Sequence, residues 1–266
     1  MDLKLSNKTA IVTGGSRGIG KAIARELALE GVDVAIAARN PERLDATAKE
    51  LSEISGRKII PIVVDTGDDD KVQYMAKKAA DELGGIDILI NCAAQPGSAL
   101  PPPSLASFTN EHFWPDMNTK VLGYLRCARE AAPYMIERNW GRIINISGLA
   151  ARQATSIMGS MRNVSVVAMT KNLADELGPH GINVTVVHPG ETYTERTPRA
   201  LETRSERLGV SVEEIQARAG RNISIGRMVD SSEIAYIVTF LASPKSVAIN
   251  GDVIAAGGGI PRSIYY

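Results

Sequence analysis

Thr13-Gly14-Gly15-Ser16-Arg17-Gly18-Ile19-Gly20 stands between a short apolar run, Thr9 to Thr13, and a pattern in which Ile19, Ile23, Ala24, Leu27 and Ala28 recur at helical spacing. Glycines at a strand-to-helix junction allow a tight turn and let an anion approach the backbone. The first turn of the helix then offers unpaired N–H groups and a partial positive charge, which is what a pyrophosphate requires. Gly14, Ser16, Arg17, Gly18, Ile19 and Gly20 are the residues this reading assigns to the anion. A structural turn without a ligand is the alternative. The strand before it and the helix after it favour the dinucleotide reading over a chance glycine trio.

Outward from this turn, short apolar runs alternate with helical patterns. Val32 to Ala37, Ile59 to Val64, Ile86 to Asn91, Arg142 to Ile146, Asn183 to Val187 and Asp252 to Ala255 read as further strands. Pro41 to Ile54, Asp69 to Leu83, Glu111 to Arg138, Gly159 to Leu177 and Glu233 to Leu241 read as helices. The strands are continuous apolar runs and not alternating ones, the pattern of strands covered on both faces. The expected fold is therefore α/β, a doubly wound parallel sheet of Rossmann type in one domain over residues 1–266. Two stretches resist the scheme. Pro96 to Asn110 reads as a loop, and Glu191 to Gly226 is long, charged and weakly periodic. A stretch of that length inside a compact domain suggests a substrate lid over residues 191–226.

Composition bounds the function classes. The 266 residues are 44% hydrophobic and 23% charged, ordinary for a globular chain. Thirty Lys and Arg balance thirty Asp and Glu, so no basic surplus points to nucleic acid as a partner. No apolar run is long enough to span a membrane. Two cysteines, Cys92 and Cys127, make no disulfide framework and no Cys/His cluster has zinc spacing, so no metal is expected. A reducing cytoplasm is the simplest location.

The TGxxxGxG spacing at Thr13 to Gly20 resembles the short-chain dehydrogenase/reductase family, and other pieces follow in family order. They are Asn91-Cys92-Ala93-Ala94 after the fourth strand, Gly141 to Ser147 along the fifth, Leu173-Ala174-Asp175-Glu176-Leu177, Pro189-Gly190, Asn250-Gly251 and Gly257-Gly258-Gly259. The resemblance implies an oxidoreductase that binds NAD or NADP and acts on a small-molecule carbonyl or alcohol. It also implies assembly as a homodimer or homotetramer through the two long central helices. By the same analogy Asp65 contacts the adenine, Asn91 lies beside the cofactor, Thr194 faces the carboxamide, and Pro189 and Gly190 belong to the cofactor site. Where NAD-preferring relatives carry an Asp, this chain has Ala38 followed by Arg39. A carboxylate there would repel a 2′-phosphate, whereas Arg39 and Arg17 attract one, so NADP is expected over NAD.

The family's Ser, Tyr and Lys are not at their places. Counting back from Thr170 and Leu173 to Leu177, the Tyr position falls on Gly159 and the Lys position on Asn163; a slip of one gives Met158 and Arg162. Gly148 stands where most relatives carry the Ser, with Ser147 before it. Asn118 is expected to be the retained catalytic Asn. Glycine and methionine pass no proton, and arginine stays charged at any working pH. Ser147, Tyr193, Glu191 and His188 are the replacement polar groups considered, and Arg162 a contact for ribose or a substrate anion. Three functions stay open: an oxidoreductase with a non-standard proton donor, a nucleotide-binding pseudoenzyme or supporting subunit, and a lyase or hydratase using the same pocket.

Overall fold

A computed structural model describes residues 1–95 and 102–264. Seven parallel strands form one sheet in the order β3-β2-β1-β4-β5-β6-β9. They are β1 (Thr9–Thr13), β2 (Asp33–Ala38), β3 (Ile59–Val63), β4 (Ile88–Asn91), β5 (Gly141–Ile146), β6 (Ile182–Pro189) and β9 (Val253–Ala256). The expected α/β architecture is thus observed. Strand order reverses between β1 and β4, and ligands of such sheets lie in the crevice at the carboxyl ends beside that reversal.

Both faces are covered, which explains the unbroken apolar strands. Ala10 and Val12 of β1 join a core with Ile23 and Leu27 of α1 (Gly18–Leu29), Leu44 and Leu51 of α2 (Pro41–Ser55), and Ile234 and Val238 of α9 (Ser231–Leu241). Ile11, between them, points to the opposite core. There it meets Val72 and Met75 of α3 (Asp69–Leu83), Cys127 and Met135 of α5 (Gly123–Glu137), and Leu177 of α6 (Ile157–Leu177). Each such large side chain contributes about 1.5–3 kcal/mol by leaving water. Local signals fix the helix ends. Asn40 accepts the Arg43 N–H at 2.8 Å to cap α2, with Pro41 in its first turn, and Gly56 ends it in the left-handed region.

Three stretches differ from the sequence expectations. The single helix expected over 111–138 is α4 (Asn110–Asp116), a π-helical turn (Met117–Leu122), then α5. Pro115 supplies no N–H to the ladder here, and π turns often mark functional sites. Helix α6 begins at Ile157, two residues before Gly159, because the Ser156 hydroxyl accepts the Gly159 N–H at 3.0 Å. The charged stretch 191–226 holds two helices, α7 (Thr197–Leu208) and α8 (Val212–Arg221). A two-residue strand β7 (Thr192–Tyr193) precedes them and pairs with β8 (Val229–Asp230). Their periodicity is weak because α7 buries only Leu201, and α8 only Ile215, Ala219 and Gly220. The first part of the expected 96–110 loop, 96–101, lies outside the described residues; beyond it a 3-10 turn spans Leu105–Ser107.

Candidate functional site

The glycine turn closes over the carboxyl end of β1. Gly14 has φ +69°, and a Cβ there would stand 2.9 Å from the Cys92 carbonyl oxygen. A Cβ on Gly20 would stand 2.4 Å from the Gly14 carbonyl oxygen. Only glycine lets the first turn of α1 pack this closely on the loop. The N–H of Gly18 donates to both carboxylate oxygens of Glu195, at 3.0 and 3.1 Å. A carboxylate thus already sits where the dipole of α1 favours an anion.

Beside the turn a cleft of about 390 Å³ is lined by Arg17, Arg39, Arg43, Arg196, Asp65 and Thr194, among others. Burial lowers the pKa of Arg17, and the guanidinium groups of Arg196, Arg43 and Arg39 lower it further against the opposing charge of Glu195. Four cations therefore converge around one cavity, beside Ala38, which carries no carboxylate. Sequence reading found Arg17 and Arg39. It did not name Arg43, a first-turn residue three after the Asn40 cap, and it read Arg196 as a lid cation and not as part of this cluster. Asp65 closes an Asx turn by accepting the Gly67 N–H at 3.0 Å.

A second cavity of about 720 Å³ continues from the first, sharing Ile19, Cys92 and Ala94 with it. Ser147, Gly148, Lys120, Asn163, Arg162, Pro189 and Gly190 line it. At its floor the Lys120 ammonium donates to the Ser147 carbonyl oxygen at 3.0 Å and to Asn163 Oδ1 at 3.0 Å. The Ser147 hydroxyl donates to the Asn163 carbonyl oxygen at 3.1 Å, and lies 3.2 Å from its Oδ1. Lys120 is 4% exposed; desolvation, with the nearby Arg162 charge, lowers its pKa to about 7. Arg162 pairs with Asp116 at a short contact. Its buried Nε has no hydrogen-bond partner among the described residues.

Lys120 was missed by sequence reading, yet a signal exists. The buried stripe Tyr124, Cys127, Ala128 and Ala131 of α5, extended back by one turn from Tyr124, lands on Lys120. Asn118 lies off that stripe. Its amide donates to the Gly67 carbonyl at 3.2 Å and its Oδ1 accepts from Arg126 at 2.9 Å, so the structure directs Asn118 away from the lining of both cavities. Asn118, expected as the catalytic Asn, is thus outside the lining of both cavities, and helical phase brings Lys120 to the second one.

The other candidates divide as follows. Tyr193 lines a separate surface depression with Gln216, Arg227 and Asp230, because β7 pairs with β8 and turns this side chain away from the main cleft. Glu191 lines the second cavity and lies 3.9 Å from Arg204. His188 is buried, and its Nδ1 accepts the Gly148 N–H at 3.3 Å. Desolvation, aided by the Arg152 and Lys120 charges, holds its pKa at about 4, so it is neutral at working pH and offers no ready proton. Asn91 is fully buried and donates to Asn145 Oδ1 at 2.9 Å, below the cleft floor instead of in its lining. Desolvation pushes the Cys92 thiol up to about 11, which keeps it protonated and weakly nucleophilic. Gly159 is buried at the start of α6, where a Cβ would stand 2.5 Å from the Ser156 hydroxyl oxygen that caps the helix.

The sheet order, the glycine turn at the strand reversal and the paired cavities define a Rossmann-type oxidoreductase scaffold, and the chain belongs to the short chain dehydrogenase family, whose sequence model matches residues 8–205. Among curated relatives it is 32% identical to the short-chain reductase protein NovJ of Streptomyces niveus over 95% of this chain and 93% of that one. It is 29% identical to the NADPH-dependent reductase BacG of Bacillus subtilis over 98% of this chain and 100% of that one. Among solved structures, L-sorbose reductase from Gluconobacter frateurii, complexed with NADPH and L-sorbose, superposes with a TM-score of 0.91 at 26% identity, covering 99% of this chain and 100% of that one. Among the described residues no helix is long and apolar enough to cross a membrane.

Proposed function

We propose that this chain is an NADP-dependent reductase that converts the carbonyl group of a small molecule to an alcohol. The observation that carries the reading is the convergence of Arg17, Arg39, Arg43 and Arg196 around a cavity whose β2 edge presents Ala38 and no acid. A 2′-phosphate is the anion such a cluster suits, and guanidinium groups bind phosphate oxygens with charge-assisted bonds. The glycine turn accommodates the pyrophosphate, with Glu195 standing in for that anion. Asp65 and Thr194 flank the same cleft. Pro189 and Gly190 border the second cavity, where the nicotinamide and the substrate carbonyl have room to meet. When bound, the cofactor supplies the hydride. The NADPH-dependent relatives support the same reading.

A homodimer or homotetramer accompanies this function. Met161 and Val164 on α6, and Leu122 and Leu125 on the neighbouring helix, are apolar side chains 38–50% exposed on one chain, an apolar face of the kind a second copy covers. Residues 191–226 are proposed as the lid, and the unpaired Cys92 and Cys127 suit a reducing cytoplasm. The test is oxidation of NADPH, followed by absorbance, against a panel of ketones, aldehydes, ketoses and β-keto thioesters. Turnover of one class is expected. NADPH binding with no turnover across the panel would remove the reductase reading and favour a nucleotide-binding pseudoenzyme.

A further inference from the structure

Lys120 is a buried amine to which, among the described residues, no carboxylate is bonded, and it lines a cavity. Its Nζ spends two N–H groups on the Ser147 carbonyl oxygen and Asn163 Oδ1, each at 3.0 Å. An ammonium has three N–H groups, and the same side chain lines the second cavity together with Gly148, Pro189 and Gly190. Both fixed acceptors are neutral, so they orient the amine without locking it in the charged form. Asn163 stands where the family resemblance placed a lysine, and the amine that reaches that spot comes from the π-helical turn on the preceding helix. The turn, Met117–Leu122, is where α4 and α5 meet.

We propose that Lys120 is the catalytic acid of this protein, donating the proton to the substrate oxygen during carbonyl reduction. The inference rests on the reductase reading above and names the residue that makes it chemically complete. A hydride from the reduced nicotinamide forms the new C–H bond, and the C=O π pair moves onto oxygen. One Lys120 N–H bond breaks as the new O–H bond forms. The products are the alcohol, the oxidised nicotinamide and a neutral Lys120 amine, which regains its proton from water entering the open cavity.

Electrostatics suit the role. The charged and titratable groups facing this amine are Asp116 on α4, Arg162 on α6, Cys92 after β4 and His188 on β6, with Glu191 at the cavity rim. Of these, His188 is neutral and Cys92 is protonated at working pH. Asp116 is held by Arg162. Desolvation and the Arg162 charge bring Lys120 to about 7, where a general acid combines a populated proton with ready release. The direction of pH dependence follows: reduction needs the ammonium, so the rate falls as pH rises through that value.

The experiment has two arms. In the first, protein carrying ¹³C-labelled lysine is titrated by NMR without cofactor or substrate, and the Lys120 Cε resonance is assigned by its loss in Lys120→Met. A midpoint near neutrality is expected; a midpoint in the ordinary lysine range overturns the proposal. In the second, a carbonyl turned over by the wild type is compared across Lys120→Met, Lys120→Arg and Asn163→Asp. Removing the acid is expected to lower kcat by about 10²–10⁴-fold, with NADPH affinity within about threefold of wild type. Arginine keeps the charge and releases no proton, so Lys120→Arg should not restore the rate. Asn163→Asp places a carboxylate beside the amine and should move the high-pH fall in rate upward by about one unit or more. Recovery of rate in Lys120→Arg, or an unmoved pH profile in Asn163→Asp, overturns the proposal while the reductase reading stands. Failure of the wild type to reduce any carbonyl removes that reading instead, and the proposal with it.

Discussion

Replacing Arg39 by Gln should weaken NADPH and leave NADH nearly untouched. Arg39 follows β2 at the point where the adenosine ribose would lie, beside Ala38. A charge-assisted hydrogen bond contributes about 1.5–3 kcal/mol, and about 1.4 kcal/mol is tenfold in affinity, so the outer bounds are roughly 10- and 150-fold. The structure places the effect near the lower bound. Arg196, Arg43 and Arg39 all press on Arg17, lowering its pKa, so losing one cation relieves repulsion among the rest. About tenfold is therefore expected for Arg39→Gln. Arg39→Gln with Arg43→Gln should reach less than the product of the singles, because neighbours that share a ligand do not add. Calorimetric titration of wild type and variants with NADPH and NADH, at low and physiological salt, reads the effect. Wild type should prefer NADPH and lose part of that preference as salt rises, since the cluster is open to solvent. Equal weakening of both cofactors, or a wild type that binds NADH more tightly, refutes the 2′-phosphate assignment.

Four further expectations follow from the geometry. Gly20→Ala puts a Cβ 2.4 Å from the Gly14 carbonyl oxygen; overpacking of this kind costs about 1–3 kcal/mol, so calorimetry should show a Tm several degrees lower together with loss of NADPH binding, and an unchanged Tm would contradict the close approach. His188 has a folded pKa of about 4 against an ordinary 6.5, so the unfolded chain binds more protons between those values and stability falls as pH drops through that window; denaturant titrations of His188→Gln should show a flatter loss there than wild type, and parallel curves would count against a buried neutral imidazole. Glu195 competes for the anion site at the start of α1, so Glu195→Gln should tighten NADPH by about two- to fivefold, the 0.3–1 kcal/mol of a charge at a helix terminus. In the same protein, hydrogen exchange across 191–226 should slow on NADPH addition, and an exchange rate indifferent to cofactor would remove the lid assignment.

The sequence by itself determined the doubly wound sheet and the position of the dinucleotide turn. Those signals are local: a buried strand must be an apolar run, and a turn that packs a helix start onto a loop must be glycine, as Gly14 and Gly20 are. Asp65, Thr194, Pro189 and Gly190 were named through the family resemblance, and they line the two cavities. Only the tertiary structure decided which polar side chains face the cavities. Asn118 and Lys120 are two residues apart, and a π-helical turn and a helical phase, not spacing to a motif, send one to Gly67 and the other to Asn163. Tyr193 is turned outward by its pairing with β8. Arg43 and Arg196 join Arg17 and Arg39 because the starts of α2 and α7 converge on the end of β1, a long-range meeting that no window of sequence contains. The physical reason is common to all of these. Burial of apolar surface fixes where each element packs, and the polar side chains take the directions that packing leaves them.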